Sequence, residues 1–346
     1  MLRFPDADEL VLSATDLASF LACEHLSQEQ LRAALDLRGK LPRDESPHGD
    51  LVRERGDRYE AEQLARLSAR AGGHEEIALP AYGYGRPELE AAAHRTEAHM
   101  RAGVPLVYQA AFFDGRWQGR VDFLRRVEQP SRLGDHAYEV VDTKLARSVK
   151  PQVVHQLSLY ARLVARVQGD AVHHAFVLLG DGTEERVDLR RYAALHRHVV
   201  RRLEALVRAQ PRDVYPETVD HCPLCRLERE CDRRRRTDDH LSFVARSRRS
   251  QREALTSAGV STLTALATLP AGATVDGLAS ERVETLRTQA ALQCESGRRD
   301  APMHRHLPAE RERGYARLPA PSPGDVFFDF EGDPYVGASG IEYLWG

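Results

Sequence analysis

The sequence predicts an α/β protein built on a mixed sheet with helices on both sides, and three observations carry that expectation. Leu106–Phe113 and Trp117–Val127 are β-like runs joined by Asp114-Gly115, a strong hairpin signal. Ala137–Thr143 (AYEVVDT) reads as a third strand, and an amphipathic stretch with Val153, Leu157, Tyr160, Val164 and Val167 on one face leads from it to another apolar run. The composition is globular: 346 residues, 42% hydrophobic and 29% charged, long enough for two or three domains. Collagen-like and wholly disordered chains are excluded. No stretch approaches the roughly 20 apolar residues of a membrane span, and the start (MLRFPDADEL) lacks a signal-peptide pattern, so the chain is expected in the cytoplasm.

The elements follow in order. Ser13 to about Leu37 is helical in pattern, with Thr15 or Asp16 as the cap and Leu17, Phe20 and Leu21 on one face. A loop with Gly39, Pro42, Pro47 and Gly49 leads to a second helix, about Leu51 to Ala71, that stops at Gly72-Gly73. A third spans Pro87 to Arg101. After the three strands come a helix over Pro151–Val167, a strand over Val172–Leu179, a turn at Asp181-Gly182, a short partner over Glu184–Leu189 and a helix over Arg191–Arg208. Helices return between Cys222 and about Gln293. The Pro-rich LPAPSPG then precedes VFFDFEGDPY, which reads as the opening of a new strand.

Carboxylates mark the candidate chemistry. Side chains alternate along a strand, so Asp142 and Lys144 share a face and Thr143 takes the other. Asp122, on the hairpin's second strand, can lie beside Asp142. Glu60 interrupts an otherwise apolar helical stripe of Gly56, Leu64, Leu67 and Ala71. Three carboxylates in one pocket repel one another unless a cation holds them, and hard oxygen ligands suit Mg²⁺ or Mn²⁺. Of 49 lysines and arginines only Lys40, Lys144 and Lys150 are lysines, so each stands where a compact ammonium is preferred to a guanidinium; this points to Lys144. Taken singly, Asp122, Lys144 and Glu60 also read as solvated surface residues.

Cys222, Cys225 and Cys231 place three thiols within ten residues, with Cys23 far upstream and Cys294 isolated in a helical stretch. From spacing alone zinc is the default, with His221 or His25 as a fourth ligand. The net charge is −3, yet residues 226–252 hold ten arginines against five acids. Arg233, Arg234, Arg235, Arg236, Arg248 and Arg249 are candidates to follow a phosphate backbone. Leu255–Leu269 has the helix, Gly-Val turn and helix of a hairpin element, but also reads as a plain connector.

The order of helix Glu60, Gly119-x-x-Asp122, Glu139-x-x-Asp142-x-Lys144 and Gln156-x-x-x-Tyr160 resembles the RecB-like branch of the PD-(D/E)XK nuclease superfamily. The resemblance implies a restriction-endonuclease-like fold with Glu60, Asp122, Asp142 and the Thr143 carbonyl on the metal. It implies Lys144 as the catalytic lysine, and Gln156 with Tyr160 packed beside the site. Many relatives carry His where this chain has Tyr59. The C-x2-C-x5-C run with one distant cysteine resembles the iron–sulfur staple of AddB-type nucleases, which implies a [4Fe–4S] cluster on Cys23, Cys222, Cys225 and Cys231, with zinc as the lesser alternative. Asp329-Phe330-Glu331 resembles the opening of an RNase H-like exonuclease domain, the rest of which is not in the sequence.

The resulting expectation has three parts: a nuclease domain over 1–240 with its cysteine staple, a helical extension over 241–318, and 319–346 as linker and first strand of a further domain. The implied activity is metal-dependent hydrolysis of DNA at single strands or ends, with DNA and a helicase region or subunit as partners. The alternatives are a catalytically weak nucleic-acid-binding module and a zinc-stabilised scaffold attached to a helicase.

Overall fold

A computed structural model of the chain describes residues 1, 4, 10–42, 47–80, 83–299, 301–333, 336 and 340–345. They divide into two units, Met1–Val214 with Phe330–Trp345, and Tyr215–Asp329.

The first unit contains helices α1 (Ala14–Ala22), α2 (Glu24–Ala34) and α3 (Pro47–Ala71), strand β1 (Glu75–Glu76) and helix α4 (Arg86–Arg101). Strands β2 (Leu106–Phe113), β3 (Gln118–Val127) and β4 (Ala137–Lys144) follow. After them come α5 (Pro151–Gln168), β5 (His174–Leu179), β6 (Glu184–Asp188) and α6 (Ala193–Arg208). The strands form a six-stranded sheet in sequence order. β2–β3, β3–β4 and β5–β6 are antiparallel, while β1–β2 and β4–β5 are parallel. Helix α5 is the crossover that a parallel β4–β5 pair requires. The chain is therefore α/β, with helices on both sides of a mixed sheet.

The faces follow from alternation. On β4 and β5, Val140, Ala175, Val177 and Leu179 enter the large cluster shared with α1, α4, α5 and α6, whereas Val141 and Leu178 turn to the other side. There they meet Leu106, Phe123 and Leu67 of α3, with Leu64, Ala71 and Tyr108 at the margin. The stripe expected on α3 thus packs on the sheet, and Glu60 arrives one turn beyond its apolar part. The hairpin forms at the expected turn, where Asp114 Oδ1 accepts from Arg116 N at 3.0 Å and Trp117 N at 2.6 Å and Gly115 takes φ +92°. At Gly119 an added Cβ would meet Leu163 Cδ1 at 2.9 Å and Tyr160 Cδ1 at 3.0 Å, so the bare backbone lets α5 lie close on β3.

Several expectations change. The helix expected over Ser13–Leu37 is two helices, because Cys23 is extended (φ −160°, ψ 120°) and its Sγ accepts the Leu26 N–H at 3.4 Å as the cap of α2. The first cap is Ser13, whose N–H and hydroxyl both donate to Asp16 Oδ2 at 2.9 Å. β1 pairs parallel to Val107 and Tyr108 through two exposed glutamates, which carry no strand signal. The main segment of the first unit runs to Val214.

The second unit explains that boundary. It holds α7 (Glu228–Thr237), α8 (Arg249–Ser257), α9 (Leu263–Ala267) and α10 (Ser280–Arg299). Leu241, Leu255, Leu263, Leu266, Val283 and Leu286 form its apolar cluster, and Cys294 packs against it. Residues 215–217 are tied into this unit. Tyr215 donates to Asp238 at 3.0 Å, Arg235 Nη1 to the Pro216 carbonyl at 3.2 Å, and Arg252 Nη2 to Glu217 at 3.1 Å.

Strands β7 (Phe330–Asp333) and β8 (Ile341–Trp345) pair as a separate two-stranded sheet. The new strand begins at Phe330 and not at Val326, since β8 reaches back only to Phe330; Phe327 is 90% exposed. Pro334 and Tyr335 of that run lie outside the described residues. Asp333 takes a two-point ion pair from Arg55 of α3 at 3.0 and 2.6 Å, which groups this hairpin with the first unit.

A buried histidine pair links α5 to α6. His155 and His196 face each other with Nδ1 atoms 3.4 Å apart, and His196 Nε2 is buried without a hydrogen-bond partner. Burial first, then the nearby His155 and Arg162, pushes His196 down to about 4; burial also lowers His155. The unfolded chain therefore takes up these protons before the folded one does. Stability rests on the neutral pair above about pH 6.5 and is lost as pH falls from there toward about 4. Relative to His196→Leu, the wild type should lose up to roughly 3 kcal/mol across that window, read from denaturant midpoints at each pH.

Candidate active site

The acid residues meet where the sheet comes apart. β2 and β3 pair at Tyr108↔Phe123 and again at Ala110↔Val121, but not at Gln109 and Asp122 between them. β3 and β4 pair up to Phe123↔Val141 and no further. Continuing both registers sets Gln109, Asp122 and Asp142 in one row across the sheet. Gln109 has φ +53°, a left-handed backbone inside a strand, a conformation costing on the order of 1–3 kcal/mol. Val121 and Phe123, two residues apart on β3, nevertheless enter different apolar clusters.

Asp122 reaches across the opening. Its Oδ2 accepts from the Thr143 N–H and the Thr143 hydroxyl, both at 2.8 Å, where a ladder bond would otherwise lie. Asp142 is 0% exposed. Lys144 Nζ forms an ion pair with its Oδ2, and Gln156 Nε2 donates to its Oδ1 at 3.3 Å. Gln156 Nε2 also lies 3.1 Å from the Tyr160 hydroxyl, as the i, i+4 spacing on α5 predicts. Glu60 Oε1 accepts from Tyr108 Oη at 2.9 Å and from Gln109 Nε2.

The charges act on one another. Burial, then the Asp122 carboxylate, pushes Asp142 up to about 8 against the pull of Lys144. Burial, then Asp122, also raises Glu60, partly offset by its hydrogen bonds from Tyr108 and Gln109. Burial alone would lower Lys144, but Asp142, Asp122 and Glu60 outweigh it and hold it above its ordinary value. An ammonium that feels all three carboxylates places the four groups in one neighbourhood. As they stand, protein donors occupy these carboxylates, and among the described residues no three His, Cys, Asp or Glu side chains are drawn up to hold a metal ion.

Glu60, Asp122, Asp142, Thr143, Lys144, Gln156 and Tyr160 are thus brought together through hydrogen bonds and mutual charge. Tyr59 turns away: its hydroxyl donates to the Leu179 carbonyl at the end of β5, pinning α3 to the sheet. Sequence reasoning missed Tyr108 and Gln109. The available signal was a lone amide in the middle of an apolar strand, LVYQAAFF.

The cysteines are placed unit by unit. Cys23 lies between α1 and α2 in the first. In the second, Cys222 and Cys225 share one tight turn closed by Cys225 N to Cys222 O at 3.0 Å, and Cys231 lies on α7. Cys222 Sγ accepts the Val219 N–H at 3.3 Å and has Arg235 Nη1 at 4.0 Å.

The basic run needs a correction. Arg235 is 4% exposed and bound to Pro216, Cys222, Glu228 and Asp232, so it faces inward and cannot track a phosphate backbone. Arg234 lies over the Tyr215 ring, Arg236 pairs with Asp232, and Arg249 pairs with Glu253. Arg233 and Arg248 are exposed, with no acid partner among the described residues.

Fold and site together define an α/β protein with an acid–lysine cluster, centred on the buried Asp142, where its sheet ladder is interrupted. Compared with family models and with curated proteins, the chain matches none. No helix among the described residues is long and apolar enough to cross a membrane.

Proposed function

We propose that this protein is a divalent-cation-dependent nuclease that hydrolyses DNA phosphodiesters, at single strands or ends, on a restriction-endonuclease-like core. The observation that carries the reading is the set of Glu60, Asp122, Asp142 and Lys144 gathered at the row where β3 parts from both neighbours. The donor set fits a hard cation. It is all oxygen, a wholly buried carboxyl is pushed up to about 8 by burial and then by Asp122, and Glu60 Oε2 has no protein donor among the described residues. Mg²⁺ or Mn²⁺ on Glu60, Asp122, Asp142 and the Thr143 carbonyl would offset phosphate charge and acidify an attacking water.

The chain's own residues divide the remaining work. Lys144, paired with Asp142 and held above its ordinary pKa by the carboxylates around it, would donate as an ammonium to a water or phosphate oxygen. Gln156 fixes the turn of the Asp142 carboxyl through Oδ1. Tyr160, raised by burial and then by Asp142 and Asp122, remains a neutral phenol and orients Gln156 without titrating.

The second part of the proposal is a [4Fe–4S] cluster on Cys23, Cys222, Cys225 and Cys231, with zinc as the lesser alternative. Backbone N–H groups already point at the Cys23 and Cys222 sulfurs, the kind of donor that tunes a sulfur-ligated cluster. A visible band near roughly 400 nm distinguishes cluster from zinc. The second reading, a nucleic-acid-binding module with weak catalysis, is favoured by Tyr59, which offers its hydroxyl to Leu179 and none to a metal.

The test is digestion of labelled single- and double-stranded DNA by anaerobically purified protein. Cleavage with Mg²⁺ or Mn²⁺ that stops on chelation is expected, and no cleavage under either ion would overturn the activity. The arginines separate in the same preparation. Arg233→Ala should lower the slope of log affinity against log salt by about 0.7–0.9 without changing stability. Arg235→Ala should instead cost about 1–3 kcal/mol, since it leaves the Pro216 carbonyl without its buried donor.

A further inference from the structure

The break in the β2–β3 ladder is built at one residue. Gln109 turns left-handed between two residues that pair normally with β3, and the turn coincides with a bond from its side-chain amide to Glu60 Oε1. Tyr108, its neighbour in β2, donates to the same oxygen at 2.9 Å. Two donors on one oxygen restrain rotation of the carboxylate and leave Oε2 with its lone pairs. Gln is a poor choice for this backbone if only the kink matters. Glycine would make the same turn without strain, and a β-branched or apolar residue would suit a straight strand better.

We propose that Gln109 and Tyr108 are positioning residues that hold Glu60 for a divalent cation, the strained turn at Gln109 being kept for the amide it delivers. This role rests on the nuclease reading above. It differs from a packing role in what Gln109→Gly does. The variant keeps the turn, relieves the strain and deletes only the amide. A packing residue would lose stability and leave ion binding alone; a positioning residue would do the reverse.

The experiment is Mn²⁺ binding to the full chain, followed by the electron paramagnetic resonance of the free ion, beside thermal unfolding of each variant. Gln109→Gly is expected to unfold at or above the wild-type temperature and to bind Mn²⁺ about tenfold or more weakly. Tyr108→Phe should weaken binding in the same direction with its unfolding temperature nearly unchanged. Asp142→Ala should remove binding altogether. Wild-type affinity in both Gln109→Gly and Tyr108→Phe, with binding lost in Asp142→Ala, would overturn the positioning role while the cation site stands. A wild type that binds no Mn²⁺ would overturn the nuclease reading and this role with it.

Discussion

Asp142→Ala is expected to abolish Mg²⁺-dependent cleavage, by ~10³-fold or more in rate, and to leave DNA affinity within a few fold. Asp142 is wholly buried, so it contributes nothing to a surface that DNA could grip. It is, however, the residue on which Lys144 and Gln156 both converge. Its loss removes a proposed metal ligand and releases the ammonium and the amide together. The fold should survive, because the carboxyl is itself a burden: burial and Asp122 push it up to about 8, and the β4 ladder to β5 does not depend on its side chain. Thermal stability at or above wild type alongside lost cleavage is the expected signature of a residue kept for chemistry. Cleavage at the wild-type rate would remove Asp142 from the site.

The cysteine substitutions should have the largest effect on folding. Cys222→Ser, Cys225→Ser and Cys231→Ser are each expected to lose the proposed metal centre and with it several kcal/mol of stability, since a four-ligand centre opens when any ligand goes. Cys23→Ser tests the fourth ligand cleanly. Cys23 also breaks α1 from α2 and caps α2 through Sγ, and serine caps at least as well, so the helix junction should persist while the metal is lost. Cys294→Ser should change stability by no more than about 1 kcal/mol, because that side chain only lies against the second apolar cluster. Iron and sulfide analysis of each variant decides the matter. Full iron in Cys23→Ser would remove Cys23 from the ligand set.

Much of this site is legible in the sequence because strands and helices have fixed periods. Asp142 and Lys144 share a face by alternation, Gln156 reaches Tyr160 by i, i+4 spacing, and Glu60 shows as the one acid in an apolar stripe. What alternation cannot reveal is a place where a strand stops alternating. The left-handed turn at Gln109 and the missing ladder at Asp122 are backbone events, and so Tyr108 and Gln109 went unnoticed as partners of Glu60. The same limit hid the division of the first helix. Its apolar spacing runs through Cys23, where the extended backbone ends one helix and the bond from Leu26 N–H to Cys23 Sγ caps the next. Charge runs misled for another reason. Arg235 sits among four consecutive arginines, yet the fold turns it inward onto Pro216 and Cys222, a choice made by residues ten or more positions away.

The central claim is that Glu60, Asp122 and Asp142 hold a divalent cation, and anomalous diffraction from a Mn²⁺-soaked crystal tests it most directly. One strong peak is expected within coordination distance of all three carboxylates, with Lys144 displaced from Asp142 Oδ2. Crystals that show Mn²⁺ elsewhere, or nowhere, with the Lys144–Asp142 ion pair intact would contradict it.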